Sequence, residues 1–366
     1  MKQGPPAYYI NAAGVISPQK TYCDRVFLTE ISEYAGNKLT CVLPDFKEFM
    51  NPFQMRRLSR MLKTGLAAVM ICLRNSGVKV PDAVITATGF GFYDSRAKFL
   101  AEILKQAEQQ LTPNYFIQST HNALAGLVAL TIGCTGYNNT YAGRGSAFES
   151  ALLDAMMLLD ENESEAQNIL VGSFDEVSEV LFRQYARLGY FRKEPVNNLR
   201  LFDEDSPGAG AIQGEGVAFF MLSSAPKKRT LCRLRGMKML YKPEGYGDLA
   251  AALETFLKEN DLDPRDIDVF INGASGDAAR DKWNSDLQHD FLEHAAEVRF
   301  KHLTGEYATA SSFALWLGAM ILKKKHIPEV VLARPARRPE RKETALVCNH
   351  FLSRYYTFMI LDSVTP

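Results

Sequence analysis

Gly214-Glu215-Gly216-Val217-Ala218-Phe219-Phe220-Met221-Leu222-Ser223 is the stretch from which the rest of the chain can be read. From Gly216 to Ser223 it is apolar with no polar alternation, the pattern of a strand covered on both faces. A similar run, Phe358-Met359-Ile360-Leu361-Asp362-Ser363, stands near the C-terminus and resembles Phe219-Phe220-Met221-Leu222-Ser223-Ser224. Tyr141-Ala142 ahead of one apolar helical stretch likewise resembles Tyr307-Ala308 ahead of another. Outward from these landmarks, strand and helix patterns alternate. Strands are predicted over 8–16, 82–87, 138–141, 168–173, 230–240, 268–272, 298–302, 329–333, 344–349 and 355–361. Leu58, Met61, Leu62, Leu66 and Met70 fall at three- and four-residue spacings and predict a helix over 55–75. Further helices are expected over 95–109, 121–132, 146–159, 246–259, 281–295 and 311–323. Alternation of this kind implies an α/β protein whose buried sheets carry helices on their faces. The pattern is interrupted at Ala225-Pro226-Lys227-Lys228-Arg229, which divides the chain into halves 1–226 and 227–366.

Composition narrows the function. Lys plus Arg equals Asp plus Glu at 42 each, so no net field draws the chain to nucleic acid or an anionic membrane. The six cysteines are scattered and none forms a CxxC pair, which removes zinc and redox-motif readings. The N-terminal residues show no charged segment followed by an apolar core, and the longest apolar stretches fall far short of the ~20 residues of a membrane span. The expectation is a cytoplasmic protein. There is no Walker loop, no GxGxxG opening a helix after a strand and no His-Cys cluster, so no cofactor and no metal are expected.

Several motifs in register carry a family resemblance. Arg200-Leu201-Phe202-Asp203 followed by Gly214-Glu215-Gly216-Val217 resembles the Arg-Pro-Phe-Asp and Gly-Glu-Gly-Ala elements of the β-ketoacyl synthases. Gly14-Val15-Ile16-Ser17-Pro18 resembles their Gly-Val-Val-Ser-Pro opening, and Lys301-His302-Leu303-Thr304-Gly305 their Lys-Ser-Met-Thr-Gly motif. Val269-Phe270-Ile271-Asn272-Gly273 stands where the family has Val-Asn-Ala-His-Gly. Ala125-Gly126-Leu127, followed by Gly136-Tyr137-Asn138, resembles the stretch before the family's nucleophile. The resemblance spans essentially the whole chain. It implies a thiolase-like, five-layered α/β/α/β/α duplication and a dimer.

The family reaction needs a thiolate to hold the acyl chain and donors for the oxyanion. The family provides a Cys at the start of a buried helix, two His, a Lys and a Gly-rich loop. Here the nucleophile position reads Gly145, the first His position Ala274 and the second Glu306, while Lys301 persists. The Gly-rich loop is replaced by Asn349-His350-Phe351-Leu352-Ser353-Arg354-Tyr355. These departures resemble chain-length factors, catalytically dead members that pair with an active ketosynthase in fatty acid, polyketide or aryl-polyene-type pigment synthesis. That resemblance implies a ketosynthase subunit and an acyl carrier protein as partners, and a tunnel lined from residues 126–132.

Other residues keep two readings open. Ser146 is a substitute nucleophile, working with Glu306 and Lys301 in an acyltransferase or condensing enzyme, or it is a helix N-cap. Arg144 binds a carboxylate or phosphate, or makes a salt bridge or dimer contact. Glu306 is an acid–base group or the partner of Lys301. His121 and His350 are functional or structural imidazoles, and Phe351 is a candidate substrate contact. Arg334, Arg337, Arg338 and Arg341, with Lys342, are a docking patch for an acidic carrier protein or a solvated loop stiffened by Pro335 and Pro339. A homodimeric acyl-binding scaffold is a third function consistent with the sequence.

Overall fold

The structure, a computed structural model, describes residues 7–23, 27–161, 167–203, 208–337 and 342–364, with Gln54 described by its backbone. Among the described residues, ten of the strands form two matching sets: β1 (Tyr8–Ile16), β2 (Ala83–Thr88), β3 (Tyr137–Ala142), β4 (Ile169–Asp175), β5 (Gly216–Ser223), β6 (Cys232–Tyr241), β7 (Val269–Gly273), β8 (Ala296–Arg299), β9 (Thr344–Phe351) and β10 (Tyr355–Asp362). The first five lie in the order β3-β2-β4-β5-β1 and the second five in the order β8-β7-β9-β10-β6, so both sets carry the same 3-2-4-5-1 topology. Directions repeat too. β5 and β10 each run antiparallel to both neighbours, while β2 and β7 run parallel to both of theirs. The short strand Leu332–Arg334 adds to the edge of β8. Tyr8, Tyr9 and Ile10 pair with Leu234, Arg233 and Cys232, which joins the two sets.

Burial explains the unbroken apolar runs. On β5, Val217, Phe219 and Met221 face the helices α1 (Arg60–Ser76) and α2 (Ala123–Ile132). Ala218, Phe220 and Leu222 face the opposite way, onto α3 (Ala147–Glu161) and α6 (Ser311–Lys324). With successive side chains pointing to opposite faces, a strand covered on both sides can afford no polar position. β10 is built the same way: Met359 and Leu361 face α3 and α6, and Phe358 and Ile360 face α4 (Tyr246–Glu259) and α5 (Ala278–Phe291). The two five-stranded halves of the sheet therefore enclose α3 and α6, and a helix layer covers each outer face. This is the five-layered thiolase-like arrangement.

Some expected elements shift. The helix expected over 55–75 is two, Pro52–Arg57 and α1, because Ser59 is extended and its side chain accepts the Leu62 amide. The apolar spacing runs across that break, so periodicity does not register it. The strand expected over 298–302 ends at Arg299, and Lys301–Thr304 is a helical turn. Residues 329–333 split into the turn Glu329–Val331 and the strand Leu332–Arg334. The helix Glu179–Arg187 was not expected from the sequence.

Candidate functional site

β3 ends at the turn Arg144–Ser146, which feeds α3 into the space between the sheets. Gly145 is buried there. A Cβ on it would stand 2.7 Å from Phe351 Cβ, 2.8 Å from Phe351 Cδ1 and 2.9 Å from Tyr355 Cβ. No side chain fits without displacing both residues, since two of these atoms are Cβ atoms fixed to the backbone. Phe351 and Tyr355 belong to a wider cover, with Ala308, Leu352, Phe90, Tyr185 and Tyr190 in one apolar cluster. Phe90 meets Tyr185 and Phe351 edge-on, at 5.8 and 6.5 Å between centroids.

Behind this cover lies a buried polar network. Asp281 accepts from the Ser275 amide at 2.8 Å and its hydroxyl at 2.9 Å, and from the Gly276 amide at 2.8 Å. It also lies 3.0 Å from His350 Nε2. Burial pushes the Asp281 carboxyl up, but His350 and the Ser275 donors outweigh it and leave the group below its ordinary value. Lys301 Nζ donates to Glu306 Oε2 at 2.8 Å and to the His350 carbonyl at 2.7 Å. Burial raises the Glu306 carboxyl against the opposing pull of Lys301, and its Oε1 has no hydrogen-bond partner among the described residues.

The direction of each side chain decides what this network can do. On β9, Ala345 and Val347 face α3 and α6, while Leu346 and Cys348 face α4 and α5. Phe351 continues the first row and meets Gly145; His350 continues the second and meets Asp281 and Tyr356. The His350 imidazole is therefore on the far face of the strand from position 145. Ala274 is buried, and its amide donates to Asn272 Oδ1 at 3.0 Å. Ser146 is not the N-cap: Gly143 heads the turn, and the Ser146 hydroxyl donates to the Gly143 carbonyl at 3.4 Å. No hydrogen bond joins it to Lys301 or Glu306, whose polar contacts lie elsewhere. A serine nucleophile needs a base within about 3 Å, and none of the described residues supplies one.

A family model described as the β-ketoacyl synthase N-terminal domain matches residues 39–194. Solved structures with this fold include the ishigamide ketosynthase/chain length factor, 16% identical with a TM-score of 0.79 over 99% of this chain and 100% of that one. Another is the ketosynthase ApeO in complex with its chain length factor ApeC from Xenorhabdus doucetiae, 18% identical with a TM-score of 0.74 over 100% of both chains. A β-ketoacyl synthase from Burkholderia phymatum STM815 is 12% identical, with a TM-score of 0.75 over 99% of this chain and 100% of that one. This is a β-ketoacyl synthase fold. No curated protein sequence matches the chain.

Within the ketosynthase fold, the motifs that carried the resemblance have structural work. Glu215, fully buried, takes both Arg60 nitrogens, at 2.5 and 2.6 Å, and the amides of Cys41 and Val177. A Cβ on Gly214 would lie 1.9 Å from the Thr304 carbonyl oxygen, and one on Gly216 would lie 2.5 Å from Tyr307 Oη. Leu201 packs against Gly276. His121 packs its ring on Gly91, and burial and Arg96 hold its pKa below the ordinary value. Arg144 is exposed at a φ of 52°, with its charge near Tyr185. Arg337 pairs with Glu293, and Arg334 Nη2 reaches the Leu292 carbonyl at 3.5 Å; Arg338 and Arg341 lie outside the described residues.

Asp175 escaped the sequence reading. It closes β4, accepts from Thr88 and Gly89 with one oxygen and from the Thr309 amide and hydroxyl with the other, and so ties the Phe90 loop to the Ala308 segment. Its signal is a carboxylate ending an otherwise uncharged strand. Among the described residues no helix is long and apolar enough to cross a membrane.

Proposed function

We propose that this chain is a non-catalytic, chain-length-factor-like subunit that pairs with an active ketosynthase. The observation that carries the reading is Gly145, where the family's thiol position has no room for a side chain. Two of the similar structures are described as containing a chain length factor, and a third as a type II polyketide synthase acyl-carrier protein in complex with its ketosynthase. The products in question are polyketide, fatty acyl or aryl-polyene-type chains, made in the cytoplasm, with the chain's repeated units meeting near residue 226.

The partner would dock on β3, which ends its sheet and, among the described residues, pairs as a strand with β2 alone. Its flanking helices present Leu130 on α2, 83% exposed, and Leu153 and Met157 on α3. In the complex, α2 residues 126–132 would line the acyl tunnel. Acyl carrier protein would meet the assembly at a basic surface, with Arg334, Arg337, Arg338 and Arg341 as candidates and Arg144 and His121 nearer the covered site.

Co-expression with a candidate ketosynthase tests this. The expected result is a one-to-one complex whose product length changes with this subunit. In parallel, intact mass after incubation of the lone chain with acyl and malonyl thioesters should show no adduct. A stoichiometric adduct on Ser146 would make the chain an enzyme, and a stable homodimer indifferent to every ketosynthase would make it a scaffold.

A further inference from the structure

The buried helix α6 starts beside the covered site and runs for 14 residues, roughly 20 Å at 1.5 Å each. At its far end a cavity of about 410 Å³ opens between α6, β1 and the turn that links β5 to β6. Its floor is Trp316 and Met320, 4% and 6% exposed, with Leu231 beside them. Its rim carries Lys228, Arg229 and Lys323, with Lys324 next to them. Lys323 and Lys324 close α6, where a cation suits the negative end of the helix dipole. Lys228 and Arg229 come from the linking turn, so no helix end accounts for them. Among the described residues, Lys228, Arg229 and Lys323 have no carboxylate within ion-pair distance.

The wall of this cavity is fixed. β1 bulges between Ile10 and Ala12, and the bulged residue, Asn11, is buried. Its Nδ2 donates to the Ser223 hydroxyl and the Ala225 carbonyl, and its Oδ1 accepts from the Lys227 amide and the Thr230 hydroxyl. These bonds hold the turn bearing Lys228 and Arg229 over Trp316. On the other side, Asn75 donates to the Ala13 carbonyl at 3.0 Å. An apolar floor under a cationic rim, in a space within the roughly 300–1,000 Å³ of small-molecule sites, selects a ligand of matching polarity. We infer that this cavity binds an amphiphile with one anionic head, carboxylate or phosphate, its apolar part against Trp316 and Met320 and its head among Lys228, Arg229 and Lys323. The site is separate from position 145 and stands whether or not the ketosynthase pairing does.

The chain has two tryptophans, Trp283 and Trp316. Trp283 stacks on Tyr356 in the other outer layer, so Trp283→Phe leaves Trp316 as the reporter. The full-length variant is titrated with sodium decanoate, decyl phosphate and 1-decanol below their aggregation limits. A saturable change in Trp316 emission is expected with at least one anionic probe, binding at least about tenfold tighter than 1-decanol. The preferred head group identifies the source of the charge. Lys228→Ala/Arg229→Ala/Lys323→Ala, with an unchanged unfolding midpoint, should weaken that binding by about tenfold or more. Calorimetry on the unsubstituted chain repeats the comparison independently of Trp283. No saturable binding of either anion, equal binding of 1-decanol, or an unaffected triple variant would overturn the inference.

Discussion

A cysteine at position 145 would need its Cβ within 2.9 Å of both Phe351 and Tyr355. Any side chain there is therefore an overpacking substitution. Gly145→Cys should lower stability by about 1–3 kcal/mol in urea unfolding. It should gain no adduct on incubation with acyl thioesters, because the His350 imidazole lies across β9 from position 145 and pairs with Asp281. Adduct formation by this variant would show that the aromatic cover opens. Glu176 offers a second test at this scale. Burial pushes its carboxyl up to about 7, against the opposing hydrogen bond from the Asp94 amide. A carboxyl with a folded value above its ordinary 4.5 holds its proton more tightly in the folded state. Its contribution to stability is then complete below 4.5 and is lost as pH rises from there towards 7. Wild type should lose more stability across that window than Glu176→Gln, and parallel curves in the two proteins would refute the assignment.

Beyond its apolar packing on β5, α1 is tied by its first residue, Arg60, to Glu215, the residue just before that strand. Glu215 is wholly buried while Arg60 is partly exposed, so Arg60→Met should cost about 2 kcal/mol, less than the roughly 3–5 kcal/mol of a fully buried broken pair. Chemical denaturation measures it, and a neutral result would mean the two backbone amides suffice. This tie also marks where legibility stops. β5 and α6 are readable because burial on all sides leaves an uninterrupted apolar run. That Gly145 and Ala274 stand where the resemblance implies a thiol and an imidazole is an expectation by position alone. The crowding at position 145 is not legible, since Phe351 and Tyr355 reach Gly145 from the far end of the chain and no local pattern carries that contact. Nor does the sequence reveal that His350 and Phe351 point to opposite faces, because that depends on where β9 begins.

β3 reads Tyr137-Asn138-Asn139-Thr140-Tyr141-Ala142 and ends the sheet with neither a charge nor a proline along it. Natural proteins guard such edges with charge, proline, a bulge or a cover. α2 and α3 flank it, Asn138 donating to the Ala125 carbonyl and Tyr137 to Asp154. Apart from Asp154, these helices also expose the apolar Leu130, Leu153 and Met157. An edge strand flanked by exposed apolar side chains is a surface suited to pairing with another subunit. Leu130→Glu/Met157→Glu should therefore remove the complex with a ketosynthase from size-exclusion profiles at micromolar concentration. Because both side chains are at least half exposed, the far-ultraviolet circular dichroism and unfolding midpoint of the lone chain should not change. If the double variant still forms the complex, the partner sits elsewhere and β3 needs another cover. If it instead dissolves a homodimer of the wild-type chain, the same edge serves a self-pairing scaffold, and product-length control has to be sought in another protein.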